Sequence, residues 1–300
     1  MRRKLITNCF YCKYRTGCKI ENKNNEGNKN RVLNVYVHKK KNLNDEMGFR
    51  ILSVELVGFL AIALFAIAIL FSSIGHGGAS GYIAIFAIIG LEPEFIRPIA
   101  LILNVVVAGF GTYKFAKAGY INWRAAAILI CVSAPLSFLG GTIHLPPEIY
   151  RPILGALLLL SALYLIWKNL YEPQILSSET LRVPFIGSLS AGGTIGFLSG
   201  LTGIGGGVLL SPVLILFNWA NVRQTAGLAV CFVLANSLAG LAGNLVTMNK
   251  LPAFAGVWAV AVLLGAWVGT KLGLKITPIP ILVWLLALVI LIAALKFLVL

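Results

Sequence analysis

Apolar stretches separated by short polar segments fill the chain from residue 51 onwards. The first five lie at residues 51–74, 79–91, 98–115, 125–143 and 152–167. After a polar connector, five more lie at residues 184–202, 208–219, 226–248, 252–273 and 280–300. A helix needs roughly 20 apolar residues to span a bilayer, so the second stretch of each series is too short to span unaided. The repeated order of lengths predicts an all-α membrane protein built as a duplicated helical bundle.

A glycine-rich break precedes each short stretch. One break reads GLTGIGGGVLLSP from residue 200, and the other reads SSIGHGGASG from residue 72. A shift of 130 residues aligns their Ile-Gly-x-Gly segments. Glycine costs about 1 kcal/mol relative to alanine inside a helix, and a broken helix exposes N–H and C=O groups that lipid cannot satisfy. We therefore expect both breaks to face protein or a watery cavity and to line a site.

The short stretches allow two arrangements. If they are re-entrant, eight helices span the membrane and the repeats are parallel; if they cross, ten helices span and the repeats are inverted. The segment 114–124 carries three basic residues and no acid, whereas the segment 91–97 carries two acids and one arginine. With the basic N-terminus inside, the positive-inside rule favours the first arrangement. We predict about eight transmembrane helices plus two short re-entrant or broken helices at the Gly-rich loops.

The composition fits a multi-pass membrane protein, since 58% of the residues are apolar and 12% are charged. The predicted regions are a polar basic tail at 1–48, a first repeat at 49–168, a connector at 169–183 and a second repeat at 184–300. Residues 1–50 hold thirteen Lys and Arg against four Asp and Glu, which predicts a cytoplasmic tail. The other charges are scattered through short loops, so nucleic acid is not an expected partner.

The tail contains Cys9, Cys12, Cys18 and His38 at spacings that match no standard zinc site. It has the composition of a disordered, reduced segment. Alternatively, Met47 is the initiator and residues 1–46 are not translated. We expect no metal and no cofactor.

Small residues recur at a spacing of four in two helices, and such faces let helices approach closely. They are Gly192, Gly196 and Gly200, and Gly265, Gly269 and Gly273. We interpret both sets as packing faces.

The membrane region offers no arrangement of nucleophile, base or metal ligands, so an enzyme is not predicted. The breaks offer backbone N–H groups at the starts of short helices, whose positive dipole ends favour anions. No Asp or Glu lies in the middle of a span, which disfavours a cation site. The candidate substrate-binding residues are Ser73, Gly75, His76, Gly77, Asn104, Thr202, Gly203, Gly205, Gly206, Gly207 and Asn236.

Simpler interpretations stay open for these residues. The breaks are packed glycines without a ligand, or they bind an anion. His76, whose counterpart is Gly206, is held by a backbone carbonyl, or it titrates and supplies a donor or a proton. Asn104 and Asn236 bind the ligand or only the backbone.

The segment from Gly200 to Pro212, followed by ANSLAG from residue 235, resembles the sulfite exporter TauE/SafE family. The resemblance covers residues 50–300 and is strongest over 190–245. It departs from the family at His76 and in the extra tail. It implies a permease of the cytoplasmic membrane for small, often sulfur-containing anions such as sulfite, sulfoacetate or related organic acids. The expected partners are the bilayer and a small anion, and the oligomeric state is left undetermined. The alternative is a non-transporting scaffold or sensor that acts through its cysteine-containing tail.

Overall fold

The computed structural model describes residues 54–91, 93–171, 184–217, 219–220, 222–245, 255–275 and 280–299. Within these ranges all regular structure is helical. The ten helices are α1 (Val54–Ser73), α2 (Ala79–Ile89), α3 (Pro93–Lys117), α4 (Trp123–Thr142), α5 (Pro147–Tyr171), α6 (Phe185–Thr202), α7 (Gly207–Leu216), α8 (Val222–Leu245), α9 (Ala255–Lys275) and α10 (Pro280–Val299). The tail at 1–48 and its cysteines lie outside the described residues, as does the connector from residue 172 to 183.

The predicted pattern of lengths is present twice. α2 and α7 have 11 and 10 residues, and the other eight helices described have 18 to 25. Six of the long helices are apolar enough to cross a membrane. Their outward side chains include Ile62, Ile186 and Val260, which are 71%, 81% and 59% exposed. An apolar outer surface on apolar helices is that of a membrane protein.

Glycines join the two halves. α6 packs along α4, and α9 packs along α1. A Cβ atom on Gly192 would lie 2.8 Å from the carbonyl oxygen of Leu129, and one on Gly265 would lie 2.5 Å from that of Phe65. The same close approach to a carbonyl oxygen recurs one and two turns further on, at Gly196, Gly200, Gly269 and Gly273. Both small-residue faces are therefore packing faces, as predicted.

Equivalent helices of the two halves run in opposite directions. The amide of Asn104 in α3 lies 3.3 Å from the hydroxyl of Ser237 in α8. Towards the other end of α3, a Cβ on Gly111 would lie 2.7 Å from Val230. In α5 and α10, the early residue Gly155 faces the late residue Leu298. Repeats related by an axis along the membrane normal keep equivalent helices parallel, so these repeats are inverted, and the prediction of parallel repeats is wrong.

The short helices continue the alternation of direction. α2 runs back along α1, because its Phe86 ring lies 5.4 Å from Trp258, whose indole N–H donates to the Val57 carbonyl in the first turn of α1. α7 leads from the end of α6 to the start of α8. These lie at opposite ends of α4, because Gly200 in α6 packs near the C-terminal end of α4, whereas Gly227 in α8 packs against Tyr120, just before α4 begins. The short helices are broken from their neighbours as predicted, but their predicted re-entrant geometry is not confirmed.

The alternating directions of the helices decide which ends of the bundle share a face. The end of α2 is tied to the end of α10, because the Lys296 ammonium donates to the Ala87 carbonyl at 2.6 Å. α10 ends beside the start of α5, which directly follows α4. The first turn of α1 therefore shares a face with the end of α4, opposite the basic segment at 114–124.

Labelling of single cysteines in a cysteine-free background tests this topology. We expect a cysteine at Glu55 and a cysteine at Lys117 to react with membrane-impermeant reagents from opposite sides, because both side chains are exposed at opposite faces. The side on which the Glu55 position reacts also gives the side of the N-terminal tail. Reaction of both positions from one side contradicts the alternating arrangement.

Candidate functional site

The first break, residues 74–78, is a buried turn between α1 and α2. The His76 N–H donates to the Phe71 carbonyl at 2.8 Å, and this bond folds the chain back over the end of α1. Gly78 precedes α2 with φ of +101°, a conformation that residues with a Cβ rarely adopt. Burial leaves the His76 side chain only 3% exposed.

The second break, residues 203–206, is built in the same way between α6 and α7. The Gly203 N–H donates to the Ser199 carbonyl at 2.8 Å and closes α6. Gly206 precedes α7 with φ of +79°, and no side chain caps the helix start. A left-handed glycine at this point ends one helix and starts the next within four residues.

His76 joins the first break to the second half. Its Nε2 atom lies 2.8 Å from the Ser211 hydroxyl in α7, and that hydroxyl lies 3.0 Å from the carbonyl of Gly207 in the first turn of the same helix. Its Nδ1 atom lies 3.3 Å from the Ile74 carbonyl. The imidazole thus spans from the backbone of one break to the helix that follows the other.

Asn104 in α3 makes a second connection. Its Oδ1 atom accepts the N–H of Ala79, the first residue of α2, at 3.0 Å. Its Nδ2 atom lies 3.4 Å from the Ile204 carbonyl and 3.3 Å from the Ser237 hydroxyl. With 0% exposure, this amide holds the start of α2 against the second break in the protein interior.

Two helix starts therefore converge on one buried cluster of donors. α2 and α7 each begin beside the side chains of Asn104 and His76, with their positive dipole ends towards the cluster. Asn104, Ser211 and Ser237 carry N–H or O–H donors there. Among the side chains that the structure describes, the carboxylates are those of Glu55 and Glu148, each at the second residue of a helix. No described carboxylate is in contact with the cluster.

The glycines of the breaks are also tightly packed. A Cβ on Gly77 would lie 2.6 Å from both Asn104 Oδ1 and a methyl group of Val233, and one on Gly207 would lie 2.5 Å from Val233. On Gly75 it would collide with Ala226. Packing therefore requires glycine at these positions whether or not a ligand binds, and the described conformation is closed around the cluster.

Four predicted residues have no contact with this cluster among the described hydrogen bonds. The hydroxyls of Ser73 and Thr202 donate to carbonyls of their own helices, at 2.7 Å in both cases. Gly203 lies one turn before the cluster, against Arg97. The Asn236 amide donates to the Phe232 carbonyl at 3.0 Å, and its buried Oδ1 atom has no hydrogen-bond partner in the described part of the chain.

Arg97 is a structural residue of the site that the sequence analysis missed. Its guanidinium donates to the Gly140, Gly141 and Gly200 carbonyls at 2.7 Å, and to the Ile143 carbonyl at 2.9 Å. These carbonyls form the ends of α4 and α6, where the helix dipoles are negative. Arg97 therefore fixes the end of α6, from which the second break starts.

Ser211 and Tyr150 were missed as well. Ser211 stands within the glycine motif but five residues beyond Gly206, where only the turn of α7 brings it back to His76. Tyr150 donates its hydroxyl to the Thr202 carbonyl at 2.9 Å from the start of α5. The available signal was a polar residue at the end of an apolar stretch, which does not by itself identify a partner.

Comparisons with known proteins agree with this architecture. The family model for the sulfite exporter TauE/SafE matches residues 59–297. A probable membrane transporter protein of Sinorhizobium fredii is 40% identical over 74% of this chain and 90% of its own length. Similarly named proteins of Methanocaldococcus jannaschii and Bacillus subtilis are each 26% identical, over 88% and 98% of their lengths. No solved structure matches.

Inverted halves, apolar outer helices and a buried polar junction between two broken helices define a multi-pass membrane transporter. The chain belongs to the sulfite exporter TauE/SafE family. As a member of that family it is a transporter of a small molecule and not an enzyme, in agreement with the sequence analysis.

Replacing Arg97 should destabilise the helix ends that it caps. In Arg97→Ala three buried carbonyls and one partly buried carbonyl lose a charged donor, and we expect a loss of roughly 3 kcal/mol or more in the free energy of unfolding. Arg97→Lys should recover only part of it, because an ammonium lacks the planar fork. Thermal unfolding in detergent measures both effects.

Arg223→Ala is the matched control for this comparison. Arg223 is exposed and bonds the Tyr120 hydroxyl at 2.8 Å, so its removal should shift the unfolding temperature little. Equal shifts for Arg97→Ala and Arg223→Ala would contradict the capping role.

Proposed function

We propose that the protein is a secondary permease of the cytoplasmic membrane for a small anion, such as sulfite, sulfoacetate or a related organic acid. The observation that carries the proposal is the junction of the two breaks, where two helix starts meet a cluster of buried donors without a described carboxylate. Membership of the family supports a transported small molecule, and the name of the family as a whole refers to sulfite export.

Anion selectivity would follow from the chemistry of the junction. A buried anion needs hydrogen-bond donors to replace its hydration, and helix starts supply N–H groups together with a positive potential. The Asn104 amide, the His76 ring and the Ser211 hydroxyl are additional donors within reach of the two breaks. A cation would meet no fixed negative charge in this cluster.

Each predicted binding residue has a place in the proposal. Gly75, Gly77, Gly205, Gly206 and Gly207 would bring backbone amides to the anion, with Asn104 and His76 between them. Ser73, Thr202, Gly203 and Asn236 lie at helix ends or next to the cluster, and we assign their contacts to a more open conformation. The unpartnered Asn236 Oδ1 atom favours a change of hydrogen bonding there during the cycle.

Inverted repeats supply a mechanism for alternating access. If the two halves exchange conformations, a site on their common axis opens first to one side and then to the other. The chain contains no nucleotide-binding P-loop, so an ion gradient or the anion gradient itself would drive transport.

Transport by purified protein in liposomes tests the function. Sulfite, thiosulfate, sulfoacetate and simple carboxylates are offered with an imposed pH gradient or membrane potential. We expect flux of at least one anion above that of protein-free liposomes. If none moves under either gradient, the permease proposal fails and the scaffold or sensor alternative gains.

A carboxylate placed in the junction should repel the substrate. Asn104→Asp keeps the acceptor for the Ala79 N–H but removes the amide donors and adds negative charge. We expect anion transport per folded molecule to fall more than tenfold at neutral pH, because like charges at a buried contact cost several kcal/mol. Initial rates normalised to monodisperse protein measure this change.

The matched control is Asn122→Asp, at the start of α4. The Asn122 side chain caps this helix by accepting the Ala125 N–H at 3.1 Å, which an aspartate also does. Its transport should remain near that of the natural sequence. Equal rates for the two variants would remove Asn104 from the anion site.

A further inference from the structure

The two halves differ in a complementary way at the junction. The shift of 130 residues places His76 on Gly206 and Gly81 on Ser211. His76 and Ser211 contact each other at 2.8 Å, whereas both residues at the symmetry-related positions are glycines. The duplicated chain therefore has a single polar bridge, although its two halves provide two equivalent places for one.

Packing maintains this difference. A Cβ on Gly206 would lie 2.9 Å from the Phe232 ring and 3.0 Å from Ile195. A Cβ on Gly81 would lie 2.6 Å from Ile67 and 2.8 Å from the Phe71 ring. Neither position has room for the side chain that its counterpart carries, so the single bridge is built into the cores of both halves.

The hydrogen bonds around His76 suit a doubly protonated ring. An imidazolium donates from Nδ1 to the Ile74 carbonyl and from Nε2 to the Ser211 hydroxyl, which in turn donates to the Gly207 carbonyl. A neutral ring protonated at Nδ1 accepts a hydrogen bond from the Ser211 hydroxyl at Nε2, so that hydroxyl no longer donates to the Gly207 carbonyl. A ring protonated at Nε2 turns a lone pair towards the Ile74 carbonyl. Only the charged form makes all three bonds.

The helices around the ring carry few other ionisable groups. From α2, the Tyr82 hydroxyl donates to the Gly77 carbonyl at 3.2 Å, and α7 has no ionisable residue. α8 contributes Cys231 and, in its first turn, Arg223, while Arg97 in α3 is engaged with the ends of α4 and α6. Glu55 lies in the first turn of α1, at the far end from the break. The described residues thus supply no carboxylate to balance an imidazolium, and an anion in the junction would.

We propose that His76 binds the proton that is transported together with the anion, and that Ser211 positions its ring. This inference rests on the proposed permease function. The proton is taken up on the imidazole from the side of anion entry and is released with the anion on the other side. A monovalent anion and its proton then cross as a neutral pair, which lowers the cost of moving charge through the membrane.

Simultaneous measurement of anion and proton flux in liposomes tests the coupling. We expect the natural sequence to move about one proton per monovalent anion. His76→Gln keeps a donor but cannot titrate, so the anion flux should fall and the remainder should move without protons. The control is His144→Gln: the His144 ring has a similar bond to the carbonyl two residues earlier, at 3.2 Å, but is exposed, and its loss should leave the ratio unchanged. An unchanged ratio in His76→Gln overturns the proposal.

Ser211→Ala separates positioning from proton binding. It removes the acceptor of the Nε2 proton, which disfavours the charged ring. We expect the ratio of protons to anions to persist while the pH profile of transport shifts to lower pH. An unshifted profile contradicts the positioning role of Ser211.

A titration without transport keeps the inference testable if no anion moves. In a His38→Gln, His144→Gln background only His76 is left to report in 15N spectra of labelled histidine. If anion and proton bind together, sulfite should raise the titration midpoint, and a tenfold preference for the charged ring raises it by about one pH unit. A midpoint unmoved by every anion of the panel overturns the inference, whereas absent flux with a raised midpoint overturns only the permease function.

Discussion

The constraint on which this structure depends is the need to satisfy an interrupted backbone inside a membrane protein. Two helices break at glycines, and lipid offers nothing to the freed N–H and C=O groups. The chain solves this by placing the breaks against each other. Asn104 holds the start of α2 to the Ile204 carbonyl, and His76 reaches across to Ser211 in α7. The donors of the proposed anion site come from the same contacts that satisfy the backbone.

The rest of the bundle serves to bring the breaks together. Glycine faces on α6 and α9 press these helices onto the backbones of α4 and α1, so each half is packed on the other along two seams. Arg97 then gathers the carbonyl ends of α4 and α6 at the point where the second break begins. Because the halves are inverted, the breaks approach from opposite directions, and both positive helix ends meet.

The sequence was informative where a feature is local. Glycine runs between apolar stretches predicted the breaks, and a spacing of four predicted the packing faces, because both depend on residues close in the chain. The direction of the halves was predicted wrongly, because charge counting placed the start of α1 and the basic segment 114–124 on one side, whereas contacts between distant helices place them at opposite faces. Ser211 was missed because only the fold brings it to His76. The roles of the eleven candidate residues in binding stay predictions.

Transport by two glycine variants tests most directly whether the junction binds the anion. Gly206 and Gly119 both have left-handed φ values, +79° and +75°, but a Cβ on Gly206 would lie 2.9 Å from the Phe232 ring at the second break, and one on Gly119 meets nothing within 4 Å. Gly206→Ala and Gly119→Ala therefore carry the same backbone penalty, but only Gly206 lies at a break. The account predicts that turnover per folded molecule falls more than tenfold in Gly206→Ala and stays within about twofold in Gly119→Ala, since only the first disturbs the site. Losses that follow the amount of folded protein in both variants would make the breaks packing devices and would contradict it.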